Sequence, residues 1–222
     1  MRYEDWEPLY RKILEEFEFS EEMDLQSAKL LDKYLKKPDL GEIMKKIRDK
    51  EVSIFGAGPS LDRVEEIPNC TEISADGATS FLVERGIIPD IIVTDLDGNL
   101  GDLVYANAKG STVILHAHGD NIDKIAEHAG NFKDLYGTTQ TRPFGNLLNF
   151  GGFTDGDRAV FIAEHFKPKK IVLYGMDFDA ELGRYSFSSN REKKRKKLKW
   201  AKILIGHLKG TTKVSIMDWK EV

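Results

Sequence analysis

From Val52 onward, short apolar runs alternate with amphipathic segments along the chain. The apolar runs are V-S-I-F, T-E-I-S-A, D-I-I-V-T, S-T-V-I-L-H, K-I-V-L-Y and V-S-I-M. This alternation predicts strand–helix–strand units, and therefore a doubly wound α/β fold with a mostly parallel sheet. Ligands of such sheets bind beyond the carboxyl ends of the strands. The polar residues that follow each run are therefore the candidates for function.

Residues 1–50 contain no strand-like run and are predicted to form a helical N-terminal extension on the α/β domain of residues 51–222. Ser20, followed by two glutamates, is typical of a helix N-cap. Pro38 is expected to stop that helix, because proline lacks the N–H that a helix interior requires. A further short helix is predicted from about Leu40 to Asp49.

Composition restricts where the protein works and what it binds. The chain has no apolar run long enough to cross a membrane, and its N-terminus lacks the apolar segment of a secretory signal. We therefore expect a cytoplasmic protein. The net charge of −4 argues against a nucleic-acid partner. The single cysteine, Cys70, excludes an internal disulfide and a thiolate cluster. A homo-oligomer is left open.

The first strand is followed by the glycine-rich stretch G-A-G-P-S-L. Gly56 and Gly58 allow a tight turn, and Pro59 suits the first turn of a helix whose N-terminus favours an anion. We predict a nucleotide phosphate site that also includes Ser60, although a tight turn without ligand fits the same residues. A dinucleotide fingerprint would have glycine where Leu61 stands, which weakens the case for NAD.

Aspartates follow the second and third strands. Asp76 lies in A-D-G-A, where it is a candidate for a ribose hydroxyl or for a metal, with a plain turn as the alternative. Asp95 and Asp97 lie in T-D-L-D-G. Side chains at positions i and i+2 of a strand point the same way, so we expect both carboxylates on one face and Leu96 on the other. A hard cation such as Mg²⁺ between them would offset their repulsion.

The fourth strand runs into H-A-H-G-D-N. His116 and His118 are predicted to share a face, but the remaining histidines show no ligand spacing, and two histidines make a poor zinc site. We therefore expect a substrate-contacting loop that includes Asp120 and Asn121. Structural histidines that bond to the backbone are the alternative reading.

Two later segments contain further candidates. F-G-G-F-T-D-G-D-R-A supplies Thr154 or Asp155 as a helix cap, and Asp157 as a further acceptor for a polar substrate. N-R-E-K-K-R-K-K-L-K begins a predicted helix with clustered cations. Cations oppose the helix dipole at that end, so an anionic partner such as a triphosphate would explain them, and a solvated helix face is equally compatible.

In this order, G-A-G-P-S-L, A-D-G-A, T-D-L-D-G, H-A-H-G-D-N, G-G-F-T-D-G-D-R-A and G-M-D-F resemble the archaeal-type 6-hydroxymethyl-7,8-dihydropterin pyrophosphokinases. The resemblance covers residues 52–180. The family is distantly similar to thiamine pyrophosphokinases, in which a D-x-D pair after a strand binds magnesium. A Rossmann-like, thiamine-pyrophosphokinase-like catalytic domain is therefore implied for residues 51–222.

The resemblance implies transfer of a pyrophosphoryl group from ATP to a reduced pterin, with Mg²⁺ required and AMP released, in folate or methanopterin biosynthesis. ATP and the pterin would be the small-molecule partners. The roles that the resemblance implies are metal binding by Asp95 and Asp97, with Asp76 weaker, and nucleotide binding by Gly56, Gly58 and Ser60. The T-D-G-D segment, with Thr154, Asp155 and Asp157, would help to hold the acceptor. From the motifs and the chemistry of the reaction we further predict Asp120 or His118 as general base, nucleotide contacts by Pro59, Asp76, Arg191, Lys194 and Lys197, and substrate contacts by Asn121, Arg158 and Asp177.

Other functions also fit these motifs. A D-x-D pair after a strand serves glycosyltransferases that use a sugar nucleotide, and thiamine is an alternative acceptor for pyrophosphoryl transfer. A non-catalytic nucleotide-binding module would need only the glycine-rich turn. A dinucleotide oxidoreductase fits least well, because of Leu61.

Overall fold

A computed structural model describes residues 1–180, 183–187 and 190–221. Its sheet contains eight strands: β1 (Glu51–Phe55), β2 (Thr71–Ala75), β3 (Ile91–Thr94), β4 (Thr112–Ala117), β5 (Leu135–Thr139), β6 (Leu147–Leu148), β7 (Lys170–Tyr174) and β8 (Ser215–Asp218). The helices are α1 (Tyr3–Phe17), α2 (Glu21–Asp32), α3 (Leu40–Ile47), α4 (Ala78–Val83), α5 (Leu100–Ala108), α6 (Ile122–His128), α7 (Asp155–His165) and α8 (Arg191–Thr211).

The sheet is parallel throughout and has the order β6-β5-β4-β3-β2-β1-β7-β8. The predicted doubly wound α/β fold is confirmed. The chain builds the sheet from β1 toward β6 at one edge and then returns to place β7 on the other side of β1. The strand order therefore reverses beside β1, and the loops after β1 and β7 meet at this switch point, where such sheets bind ligands.

All six predicted strands are present, but β5 and β6 were not predicted from the sequence. The strand β5, L-Y-G-T-T, includes Gly137 and two threonines, so it lacks the apolar run of the other central strands. An added Cβ atom at Gly137 would lie 3.2 Å from a side-chain carbon of Leu31 on α2 and 2.4 Å from one of Leu35, just after that helix. The close approach of α2 to the sheet therefore explains why this strand does not look like one.

The N-terminal extension is helical, as expected. Ser20 caps α2, and its hydroxyl accepts a hydrogen bond from the N–H of Met23 at 3.3 Å. The helix α2 ends at Asp32, before Pro38 is reached, and α3 is two residues shorter than predicted at its C-terminal end.

The extension shares the main hydrophobic core. Trp6, Tyr10 and Ile13 of α1 are fully buried in one cluster with side chains from the sheet and from α7. The indole N–H of Trp6 also donates to the carbonyl of Gln140 at 2.9 Å. Burial of large aromatic side chains is a major source of stability, so α1 is an integral part of the fold. Within the described ranges, no helix combines the length and apolar character needed to span a membrane.

Glu72 on β2 provides a pH-dependent test of the fold. Partial burial, together with the nearby carboxylate of Asp90, raises the pKa of Glu72 to about 7. The folded state therefore holds the proton more tightly than the unfolded state, and stability is lost as the pH rises from about 4.5 to about 7. We expect Glu72→Gln to raise the free energy of unfolding by about 1–2 kcal/mol at pH 8 and to change it little at pH 4.

Urea unfolding at the two pH values measures this effect, and Glu65→Gln, at an exposed position, is the matched control. An equal effect of Glu72→Gln at both pH values would contradict the assignment.

Candidate active site

Two adjoining clefts open at the carboxyl end of the sheet. The glycine pocket lies over the turns after β1 and β7 and is lined by Gly56, Gly58, Asp76, Gly175, Asp177 and Tyr185, among others. The lysine cleft lies between the N-terminal helices and α8, and its wall includes Phe19, Asp24, His116, Arg158, Lys193 and Lys197. Asp95, Asp97, Thr154, Asp155, Phe187 and Lys194 line both, so the clefts meet at these residues.

Three carboxylates, which we call the acidic trio, converge where the clefts meet. Asp76, Asp95 and Asp155 each place an oxygen within 4.8 Å of the other two. Burial, and then the charge of Asp95, raise the pKa of Asp76 to about 7 and that of Asp155 well above its usual range. One oxygen of Asp155, Oδ1, has no hydrogen-bond partner among the described residues. Crowded, under-satisfied carboxylates of this kind fit a divalent cation that prefers oxygen ligands.

Asp95 stays ionised within this group. Burial favours its neutral form, but the hydrogen bond from His118 and the charges of Lys197 and Lys194 outweigh it and lower the pKa of Asp95. The hydroxyl of Thr94, on β3, donates to Asp76 at 2.6 Å and orients that carboxylate. The ends of β2 and β3 thus hold Asp76 and Asp95 together, and Asp155 reaches them from the first turn of α7.

The structure separates Asp97 from Asp95, which corrects the expectation that both share one face of a strand. The strand β3 ends at Thr94, and Leu96 has a φ of 69° and packs into the core. The chain therefore turns between the two aspartates, and strand alternation does not apply. The carboxylate of Asp97 is half exposed, pairs with Lys124 at 2.6 Å and lies outside the acidic trio.

His118 has both ring nitrogens in use. Its Nδ1 accepts a hydrogen bond from the N–H of Asp120 at 3.2 Å, so Nε2 carries the proton and donates to Asp95 at 3.3 Å. Asp120 pairs with Lys193 at 3.0 Å; this ion pair outweighs the effect of burial and lowers the pKa of Asp120. These contacts give His118 the task of positioning Asp95, while the base role predicted for Asp120 or His118 stays a prediction.

Asn121 does not support the predicted contact with substrate. Its amide donates to the carbonyls of Asp95 at 3.0 Å and His116 at 2.7 Å. Its Oδ1 accepts from the hydroxyl of Ser27 and from the N–H of His118. Because the side chain is 1% exposed and its hydrogen-bonding capacity is used, Asn121 instead holds the loops after β3 and β4 together.

The glycine-rich turn does not form the predicted phosphate cradle. The N–H of Gly58 donates to the carbonyl of Gly175 at 2.8 Å, and the N–H of Ser60 donates to the carboxylate of Asp177 at 2.7 Å. The N–H of Gly56 pairs with β7. An anion position is thus already filled by a carboxylate of the protein.

The segment after this turn is also unsuited to an anion. Pro59 begins a 3-10 helix of only five residues instead of an α-helix, so the dipole expected there is small. Asp177, predicted to contact substrate, accepts hydrogen bonds from the N–H of Ser60 and from Lys220 at 3.2 Å. These partners lower the pKa of Asp177 against the effect of burial. Asp177 still lines the glycine pocket, but it mainly holds the turn.

In the T-D-G-D segment, only part of the predicted substrate site faces a cleft. Thr154 caps α7, as predicted, and lines both clefts. Asp157 is fully buried, and its carboxylate accepts hydrogen bonds from the N–H groups of Phe153 and Thr154, both at 2.7 Å. Its oxygens are used by this cap, so a structural role replaces the predicted substrate contact. Arg158 is 2% exposed and lies 3.7 Å from Asp155 in the wall of the lysine cleft.

The cations of α8 divide between the cleft and solvent. Lys194 and Lys197 line the lysine cleft, as a site for an anion requires, whereas Arg191 is exposed and outside the described lining of both clefts. The Nζ of Lys197 lies 5.6 Å from the ring centroid of Phe153 and 5.8 Å from that of Phe19. Burial lowers the pKa of Lys197 although the charge of Asp95 opposes it.

Sequence reasoning missed several residues of the lysine cleft. Gln140 follows the unrecognised strand β5, and Phe19 and Asp24 belong to the N-terminal extension. Their local sequences carry no motif, because they approach the site only through the packing of α2 against the sheet. Asp155 was expected to contact substrate; its membership of the acidic trio is visible only in three dimensions.

Comparison with known proteins agrees with this geometry. The family model described as "6-hydroxymethylpterin diphosphokinase MptE-like" matches residues 26–182. Proteins named 6-hydroxymethyl-7,8-dihydropterin pyrophosphokinase are similar over nearly the whole length of both chains. That of Pyrococcus furiosus is 42% identical and covers 99% of each chain; that of Methanocaldococcus jannaschii is 40% identical and covers 98% of this chain and all of its own. The chain therefore belongs to the MptE-like family of 6-hydroxymethylpterin diphosphokinases.

Proposed function

We propose that this protein transfers a pyrophosphoryl group from ATP to the hydroxymethyl oxygen of 6-hydroxymethyl-7,8-dihydropterin and releases AMP. The observation that carries the proposal is the acidic trio at the junction of two clefts. An in-line displacement needs the attacking and leaving oxygens on opposite sides of the β-phosphorus. Two clefts that meet at one metal-binding position supply this arrangement.

Asp76, Asp95 and Asp155 would hold Mg²⁺, with Asp97 at the edge of the site. When bound, the ion would neutralise charge on the phosphate oxygens and on the leaving AMP. His118 keeps Asp95 oriented toward the trio through its Nε2–H. The Oδ1 of Asp155 has no hydrogen-bond partner among the described residues, which is unfavourable for a buried carboxylate. Binding of a cation would offset this cost.

The remaining work of the site is positioning and charge neutralisation. Lys194 lies where the clefts meet, and Lys197 and Arg158 line the lysine cleft beside it. These cations are placed to neutralise the pyrophosphate as it moves between substrates. The transition state of phosphoryl transfer is loose, so the acceptor hydroxyl needs little help to lose its proton. A site without a prepared base is therefore compatible with the reaction.

Product analysis tests the proposal. The purified protein is incubated with ATP, Mg²⁺ and either 6-hydroxymethyl-7,8-dihydropterin or thiamine, and products are identified by mass. We expect AMP and the pterin diphosphate in equal amounts, no thiamine diphosphate, and loss of at least about 10²-fold in rate when EDTA removes the metal. ADP as the nucleotide product, or transfer that persists without divalent metal, would contradict the proposal.

A further inference from the structure

The deep end of the lysine cleft contains polar groups that the proposed chemistry does not use. His116, at the end of β4, and Gln140, just after β5, line this cleft and are 2% and 4% exposed. Each has one polar side-chain atom that is shielded from solvent and lacks a hydrogen-bond partner among the described residues. Such atoms destabilise a protein unless something satisfies them. They therefore point to a ligand.

The unpartnered atom of His116 is a hydrogen-bond acceptor. Its Nδ1 lies 3.0 Å from the hydroxyl of Thr138, and that hydroxyl donates to the carbonyl of Leu115 at 3.5 Å. The hydroxyl proton is thus directed elsewhere, so Nδ1 carries the proton of the ring and donates to Thr138. Burial lowers the pKa of His116 well below its usual value, which keeps the ring neutral. The remaining Nε2 presents a lone pair.

The unpartnered atom of Gln140 is also an acceptor. Its amide nitrogen donates to the carboxylate of Asp24 at 3.4 Å, and this contact settles which end of the amide is the oxygen. Asp24 is itself held by the hydroxyl of Tyr10 at 2.6 Å and the N–H of Gly119 at 2.7 Å. The oxygen Oε1 is consequently left without a donor. The N-terminal helices therefore determine the polarity of this end of the cleft.

Two acceptors call for a ligand with two donors. A phosphate oxygen offers no donor at neutral pH, and adenine offers a single amino group beside a ring acceptor. The amino-pyrimidinone edge of a pterin presents its 2-amino group and the adjacent ring N–H side by side. Of the two substrates of the proposed reaction, the pterin therefore matches the pair best.

We infer that the deep end of the lysine cleft is the pterin subsite, with Gln140 Oε1 and His116 Nε2 accepting hydrogen bonds from the amino-pyrimidinone edge. The inference rests on the proposed function. A pterin bound in this subsite would direct its hydroxymethyl group toward the acidic trio. The glycine pocket, on the other side of the trio, would then accept the nucleoside of ATP. The inference also gives the N-terminal extension a part in substrate selection, because Asp24 orients Gln140.

Calorimetric titration tests the contact from both sides. Wild type and Gln140→Leu are titrated with 6-hydroxymethyl-7,8-dihydropterin and with its analogue lacking the 2-amino group, in the presence of Mg²⁺ and α,β-methylene-ATP, which cannot release AMP. Wild type should prefer the pterin over the analogue by on the order of tenfold or more. Gln140→Leu should bind both with affinities within about twofold, because the partner of the amino group is gone.

Controls separate this result from other causes. Gln26→Leu, the same change at an exposed position on α2, should keep the wild-type preference. The affinity for α,β-methylene-ATP should stay within about twofold of wild type in each variant. Should Gln140→Leu not fold, Gln140→Met removes the same acceptor with little change in side-chain length, and the same loss of preference is expected.

The outcomes are distinct for the two proposals. A Gln140→Leu protein that keeps the preference, or one that loses affinity for the ATP analogue as much as for the pterin, overturns the subsite. Wild type that shows the preference but forms no AMP from ATP leaves the subsite standing and refutes the proposed function. Wild type that forms the pterin diphosphate but does not prefer the pterin over its analogue leaves the proposed function standing and overturns the subsite.

Discussion

Asp95→Asn is expected to lower kcat for pyrophosphoryl transfer by about 10²-fold or more, because it removes the ionised member of the acidic trio from the proposed metal site. The fold should survive, since an asparagine oxygen can still accept from His118. The stabilisation that Mg²⁺ gives the wild type should disappear.

Steady-state kinetics and thermal unfolding with and without Mg²⁺ measure these effects. Asp123→Asn, at an exposed position on α6, is the matched control and should behave as wild type. Asp97→Asn should lower kcat roughly tenfold, which is less than the effect of Asp95→Asn, because the carboxylate of Asp97 is half exposed and pairs with Lys124. Near-normal turnover of Asp95→Asn, or a larger loss in Asp97→Asn, would remove the acidic trio as the metal site.

Gly152→Ala should destabilise the fold by about 2–4 kcal/mol. Gly152 has a φ of 91°, which side chains rarely adopt, and an added Cβ would lie 2.5 Å from Cα of Arg158. That atom belongs to the first turn of α7, whose backbone cannot move without displacing Asp155. We therefore expect a loss of activity beyond the fraction of protein that unfolds.

Gly206→Ala is the control, for which we expect a gain in stability instead of a loss. Gly206 lies on the exposed side of α8, and an added Cβ would meet nothing within 4 Å. Alanine is the better helix former, so this variant should gain about 0.5–1 kcal/mol. Guanidinium unfolding of both variants checks the pair. A Gly152→Ala protein as stable as wild type would show that the turn before α7 is not required in its present form.

Part of the fold could be predicted because its signal is local. The six apolar runs became parallel strands, Ser20 and Thr154 became helix caps, and the aspartates that follow β2 and β3 lie in loops at the carboxyl end of the sheet. Strand β5 escaped prediction because α2 and the segment after it pack closely on the strand through Leu31 and Leu35, and a glycine stands at the point of contact in place of an apolar side chain.

The site itself was predicted less completely, because its contacts join distant parts of the chain. Ser60 and Asp177 are 117 residues apart, and their hydrogen bond converts an expected phosphate cradle into a satisfied turn. A base role was predicted for Asp120 or His118, and the structure adds a contact that the motif does not show, the donation from Nε2 of His118 to Asp95. Neither partner is visible in a sequence motif.

From the sequence alone follow the parallel α/β architecture and the prediction that loops at the carboxyl ends of the strands, with Asp95 among their residues, form the site. These depend on hydrophobic periodicity and turn residues, which act over a few positions of the chain. The tertiary structure decided that Asp155, and not Asp97, joins Asp76 and Asp95, and that the N-terminal helices wall one of the two clefts. The physical reason is that the order of strands and the end of β3 at Thr94 determine which side chains meet, and both depend on packing across the whole sheet.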